Sequence, residues 1–251
     1  MRLAVATIAS RSRVALARAT ATSFRIHHRE IPFFLLLTDG AHEGIGAEGE
    51  PFEAIAFEVL GIEEEAKIRF RYGEMELSYA ATPFLIGHLL EAGYDGVLFL
   101  KQETLVLDRL DPLFEMLERH TVLLTPHLLE PAGGGDGLER ERNVLRAGVY
   151  NGGVVGLARG AGARQVVRWW QEKTRRLCLL DVEHGLHYEQ RWLGFVPSLA
   201  PGCGVVRDPG VNVGHWNLAE RRIEVGGGRV TACGAAAALR RRACVPRGGA
   251  I

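Results

Sequence analysis

Five short apolar runs, spaced along the chain with amphipathic stretches between most of them, constrain the fold more than any other feature. Leu3–Ile8, Phe33–Leu37, Val97–Leu100, Thr121–Thr125 and Val149–Leu157 are each the length of a buried strand. Between them, Ser12–His27 carries Val14, Ala17, Ala21 and Phe24 on one helical face. Leu77, Ala80, Ala81, Phe84, Leu85, His88 and Leu89 follow the same period, interrupted at Pro83, which kinks that helix or begins a new one. Leu110–Glu118 and Ala163–Leu177 read as further helices. Glu53–Leu60 reads as another strand, with imperfect alternation.

Strands that alternate with helices predict an α/β architecture. Its central sheet is mostly parallel and carries helices on both faces. In such sheets ligands collect beyond the carboxyl ends of the strands. The segments that follow the apolar runs, Thr7–Ser10, Thr38–Gly40, Lys101–Thr104 and Thr125–Leu128, are therefore the places to seek a site. Ala132–Gly137 is Gly-rich but lacks the spacing of a phosphate-binding loop, and no Gly-Lys-Ser/Thr occurs in the chain. It reads as a surface connection, with an active-site flap as the functional alternative.

The 251 residues are 47% hydrophobic and 24% charged, which suits one large domain or two small ones. Formal net charge is zero, so nothing points to nucleic acid as a partner. No apolar run reaches the ~20 residues of a membrane helix. The four cysteines form no Cys-x-x-Cys pair, and a reducing cytoplasm is the expected compartment. The Arg-rich N-terminus shares a pattern with transit peptides, but a first strand followed by a helix is the preferred reading. After a plausible hairpin over Arg222–Val225 and Arg229–Thr231, residues 232–251 hold Ala and Arg blocks without an acid. They are expected to form a disordered tail to a domain of residues 1–231.

Several segments together resemble bacterial glycosyltransferases of the type-A fold. They are Leu3–Thr7, Phe33–Asp39, Glu76-Leu77 with Pro83, Gly96–Leu100, Leu124–His127, Gly148–Gly153, Trp169-Trp170, Glu189–Trp192 and Arg207–Leu218. They run in the family's order over roughly residues 3 to 225. The resemblance implies a single Rossmann-like domain that moves a sugar from a nucleotide-diphospho-sugar to a sugar or natural-product acceptor. In this family the strand ending at Leu100 is usually followed by Asp-x-Asp, whose carboxylates hold a divalent ion against the diphosphate. Here Lys101, Gln102 and Glu103 stand in that place. A Mn²⁺ or Mg²⁺ site is thereby weakened, with Glu103 the one remaining candidate ligand. Lys101 is a candidate phosphate partner in the metal's stead, since an ammonium repels a cation but attracts phosphate.

The resemblance also implies roles for other residues. Thr7, Asp39, Lys101, Gln102 and Glu103 are candidates on the donor side. His127, Asn151, Gly152 and His215 are candidates on the acceptor and sugar side. Glu189 and Gln190 stand where the family carries Asp-Gln, and a carboxylate there can take the acceptor's proton or bond the sugar. Each has a plain structural counterpart: Asp39 as a turn residue, Lys101 as a strand-end cap, His127 and Trp216 as core, Glu189 as a surface helix residue. A non-catalytic nucleotide-sugar-binding or scaffolding protein of the same fold is the rival reading, supported by the altered Lys-Gln-Glu.

Overall fold

The computed structural model describes residues 1–40, 44–46, 48–227 and 229–241. The elements in chain order are β1 (Leu3–Ala9), α1 (Val14–His27), β2 (Phe33–Leu37), β3 (Glu53–Ala56), α2 (Glu65–Arg71), α3 (Glu74–Ala80), α4 (Thr82–Glu91), β4 (Gly96–Leu100) and β5 (Thr104–Val106). There follow α5 (Asp111–Arg119), β6 (Val122–Pro126), α6 (Gly137–Ala147), β7 (Tyr150–Ala158), α7 (Ala161–Leu177), β8 (Leu180–Asp181) and β9 (Leu186–His187). The last are α8 (Val196–Leu199), β10 (Cys203–Val205), β11 (Ile223–Gly226), β12 (Arg229–Ala232), β13 (Ala235–Ala236) and β14 (Leu239–Arg241).

Seven strands form the central sheet in the order β10-β6-β7-β4-β1-β2-β3. β1 pairs in parallel with β2 and β4, β2 with β3, and β6 with β10. β7 alone in this sheet is antiparallel to its neighbours, β4 and β6. The order turns back at β1, from which the chain first moves out through β2 and β3 and then returns on the other side as β4. The carboxyl ends of β1 and β4 thus flank the switch point at which open α/β sheets bind ligands.

Both faces of the sheet are covered, and the side chains divide accordingly. Ala4, Ala6, Ile8, Val97 and Phe99 join one core with α3, α4 and α7, whereas Val5, Ala9, Leu98 and Leu100 join a second with α1 and α5. This period-2 partition explains why the strands are apolar at every position.

The expected elements recur with instructive differences. The strand over Glu53–Leu60 stops at Ala56 and tightens into a 3-10 turn over Phe57–Leu60, which buries Phe57 completely. The helix interrupted at Pro83 is two helices, with Pro83 in the first turn of α4, where its missing N–H is not needed. β7 departs from a simple parallel succession, and α6, which precedes it, buries only Gly137.

Disorder from residue 232 onward does not hold for residues 232–241. β12 and β13 pair, and β14 pairs with β5 so that Leu239 lies opposite Val106. Ala232 and Leu239 are fully buried, and Ala237 and Ala238 nearly so. Sparse apolar residues suffice there because the edges of existing strands supply the backbone partners. Residues 242–251 lie outside the described residues.

Candidate active site

The end of β4 delivers Lys101. Its backbone N–H donates to Gly153 O at 3.0 Å and its carbonyl accepts from Thr104 N at 3.0 Å, which closes a tight turn. The side chain follows Val97 and Phe99 onto the face of α3 and α7. There the ammonium lies 2.8 Å from Glu189 Oε1 and 3.7 Å from the centroid of the Tyr79 ring. The Lys101 side chain is 6% exposed and the Glu189 side chain 0%. Glu189 Oε2 is buried and accepts no hydrogen bond among the described residues. The backbone carbonyl of Glu189 accepts from Trp170 Nε1 at 3.0 Å, so the buried Trp170 fixes the backbone that carries the carboxylate.

A buried ion pair is poor evidence of stabilisation, because desolvating two charges offsets most of their attraction. Its presence at a strand end beside the switch point therefore marks chemistry more than folding. The neighbouring titratable groups respond to burial. Desolvation holds His187 below the ordinary imidazole range, with the Lys101 ammonium acting in the same direction and the Glu189 carboxylate opposing it. Burial pushes the Tyr188 phenol up to about 12 and the Cys178 thiol well above its usual value.

The start of β7 supplies the next residues. Because β7 runs against its neighbours, its first residues lie at the carboxyl ends of β4 and β6. The register between β6 and β7 shifts between Leu124 and Thr125, so that Leu124 faces Val155 while Thr125 faces Asn151. Bulges of this kind re-aim side chains next to functional sites. Asn151 Oδ1 accepts from Gly153 N at 2.7 Å, and Asn151 Nδ2 lies 2.8 Å from His127 Nε2. A Cβ on Gly152 would collide with Glu189 Oε1, so only glycine lets the carboxylate come against the strand.

Gln190 is fully committed to the scaffold. Its Oε1 accepts from Gly152 N at 3.2 Å, and its Nε2 donates to Ala147 O at 3.1 Å and lies 3.2 Å from His187 Nδ1. This geometry makes it a positioning residue. His127 packs edge-on against Trp216, with ring centroids 5.7 Å apart. Trp216 in turn lies over Gly214, where a Cβ would meet its indole ring. Asn217 secures this loop, accepting from Gly214 N at 2.9 Å and donating to His127 O at 3.3 Å. His215 is exposed at its rim.

The remaining expected donor residues are placed differently. Thr7 is fully buried in β1 and pairs with Leu35 of β2. The strand runs on to Ala9, past the end of the predicted run, and Ser10 takes the position beyond the sheet. Ser10 and Ser12 both donate to Glu74 Oε1 at the start of α3, the latter at 2.6 Å. Those two hydroxyls and the nearby Arg13 hold the Glu74 carboxyl below its usual range. Asp39 accepts from Arg11 N through both oxygens at 3.0 Å and thereby closes the turn after β1. Gln102 is buried and its carbonyl accepts from Thr20 Oγ1 at 2.6 Å, while Glu103 is half-buried on the turn.

The strand end brings an ammonium where the family carries a carboxylate, and Glu189 already balances it. Among the described residues, no three carboxylate, imidazole or thiol groups converge as a metal site would need.

Sequence reasoning named Lys101 and Glu189 but not their pairing. It covered Ser10 only as the end of the Thr7–Ser10 segment, gave His187 no role, and missed Tyr79, Ser12 and Glu74. The Ser-x-Ser directly after the first apolar run was the available signal for the β1 end; nothing local pointed to Tyr79 or His187. Cys178, Cys203 and Cys233 are free thiols, and Cys244 lies outside the described residues. No described helix is long and apolar enough to cross a membrane.

No protein-family model matches the chain. A Bacillus subtilis (strain 168) protein, described only as uncharacterized protein YfnF, is 22% identical over 235 residues, covering 92% of this chain and 77% of its own. Among solved structures, the galactosyltransferase LgtC in complex with donor and acceptor sugar analogues superposes with a TM-score of 0.59 at 17% identity. That match covers 96% of this chain and 87% of LgtC. Mouse xyloside xylosyltransferase 1 gives 0.56 at 14% identity, over 96% and 98% of the two chains. With its mixed seven-stranded sheet turning back at β1, the chain has the type-A fold of these glycosyltransferases.

Proposed function

We propose that the protein transfers a sugar from a nucleotide-diphospho-sugar to an acceptor hydroxyl, with Lys101 doing the electrostatic work that a divalent ion does in related enzymes. The observation that carries this reading is the buried Lys101–Glu189 pair, 2.8 Å apart at the carboxyl end of β4. In sugar transfer the bond from the anomeric carbon to the diphosphate breaks, and a bond to the acceptor oxygen forms. Negative charge grows on the leaving diphosphate, and a fixed cation in a water-poor site offsets it. Lys101 is such a cation, pre-oriented by Glu189 and Tyr79. Glu189, against that ammonium, is the carboxylate that takes the acceptor's proton in this reading, and Gln190 anchors the neighbouring backbone through Gly152 N and Ala147 O. The fold shared with LgtC supports the reaction class; the donor base, sugar and acceptor are open.

The test is binding of UDP, GDP, dTDP, ADP and CDP, measured by thermal shift and calorimetry in EDTA and again in Mn²⁺. A ligand present at a hundredfold excess over its Kd stabilises by about 2.7 kcal/mol. One diphosphate is expected to bind equally in both conditions, and Lys101→Met is expected to abolish that binding. Binding that requires Mn²⁺ overturns the role of Lys101, and a folded protein that binds none overturns the transferase reading.

A further inference from the structure

Next to His127 and Asn151 the surface opens into a cavity of about 430 Å³. It begins at Pro126 and Tyr150, which pair across β6 and β7 next to the Thr125–Asn151 pair. One wall is apolar and is built by Leu128, Val144, Leu145 and Val149. Leu145 is 62% exposed and Val149 45%, and α6, which carries Leu145, buries nothing but Gly137. The fold therefore leaves these side chains unused. Exposed apolar groups lining a concavity mark a binding surface.

The opposite chemistry lies within the same cavity. Glu130, Glu141 and Arg207 line it together with the half-buried Tyr150. Burial raises the Tyr150 phenol above its ordinary value, so it stays a neutral hydrogen-bond donor. Glu141 is anchored by Ala132 N at 2.9 Å, which ties the Gly-rich connection to the rim. Two carboxylates, a guanidinium and an aromatic ring make a set suited to the hydroxyls and the apolar face of a sugar ring. Two carboxylates against one guanidinium leave a net negative lining, which disfavours an anionic ligand.

We infer that this cavity is the acceptor site and that the acceptor is a glycoside with an apolar aglycone. The sugar lies against Tyr150, Glu130, Glu141 and Arg207, and the aglycone lies along Leu145 and Val149. A free sugar would leave that apolar wall in water. This inference rests on the transferase reading given above.

The test compares methyl and octyl β-glycosides of glucose, galactose, mannose, xylose and N-acetylglucosamine as acceptors, using the donor sugar of whichever nucleotide binds. Octyl glycosides are expected to have a KM at least about tenfold lower than their methyl partners, the effect of burying one or two methylenes. Leu145→Glu and Val149→Glu, both at exposed positions, are expected to erase that difference. Equal KM values for the two series, or variants that change nothing, overturn the inference. So does donor hydrolysis without transfer to any glycoside. A chain that binds no nucleotide at all instead removes the transferase reading, which the hydrolysis control reveals separately.

Discussion

Lys101 Nζ and Glu189 Oε1 stand 2.8 Å apart in the interior, and neither side chain is more than 6% exposed. Removing one partner leaves the other charge buried and uncompensated. Lys101→Met or Glu189→Gln is therefore expected to cost about 3–5 kcal/mol, read as a shift in the urea unfolding midpoint. The double change Lys101→Met with Glu189→Leu replaces both charges with apolar groups and should recover most of that loss. If each single change is as mild as the double, the pair is not a buried interaction in solution.

Gly152 offers a second handle on the same carboxylate. A Cβ there collides with Glu189 Oε1 and comes within 3.2 Å of Gln190 Cβ. The pressure falls on the end of the Glu189 side chain, which must leave Lys101 to relieve it. Gly152→Ala is expected to cost about 1–3 kcal/mol. It should also weaken nucleoside diphosphate binding, since Lys101 loses its orienting partner. Calorimetry on the variant at a temperature at which it is fully folded separates the two effects. Unchanged diphosphate affinity would show that the position of Glu189 does not matter to the donor.

How much of this was legible beforehand follows from the range of each interaction. β1, β2 and β4 are continuous apolar runs, and a buried parallel strand needs nothing more to reveal itself. The resemblance singled out both Lys101 and Glu189, but on opposite sides of the reaction. Their contact joins the end of β4 to the segment after β9, far apart in sequence, which no local pattern encodes. Tyr79 reads only as a helix residue until α3 packs against the end of β4. His187 sits in a two-residue strand too short to leave a pattern.

His187 and Gln190 give a pH prediction whose sign can be reversed. In the folded protein burial depresses the His187 pKa, so its contribution to stability is present above the unfolded value of about 6.5 and is lost as pH falls. Gln190→Glu places a carboxylate against His187 Nδ1 and also against Ala147 O. At neutral pH the variant is expected to be less stable by about 1–3 kcal/mol. The carboxylate raises the imidazole pKa, so this part of the stability is now present below pH 6.5 and is lost as pH rises. Urea midpoints at pH 5.5 and 7.5 should therefore move apart in opposite directions for the two proteins. Parallel shifts would mean that the contact between residues 187 and 190 does not form.

The segment beyond residue 232 makes a prediction that composition alone would not. Leu239 is fully buried, packs in the core beneath α1 and α5, and pairs with Val106 across β14 and β5. Its N–H donates to Gly210 O and its carbonyl accepts from Val213 N, both at 3.0 Å, so it also fastens the loop that leads to His215 and Trp216. Leu239→Ala keeps those backbone bonds but empties the side-chain site. A loss of about 2–5 kcal/mol is expected, as for other buried leucines. Truncation after Cys233 removes the backbone bonds as well, and should cost more and loosen the packing of Trp216 on His127. Tryptophan emission reports that loosening directly. A truncated chain with the stability and emission of the full one would restore the view of this segment as a dispensable tail.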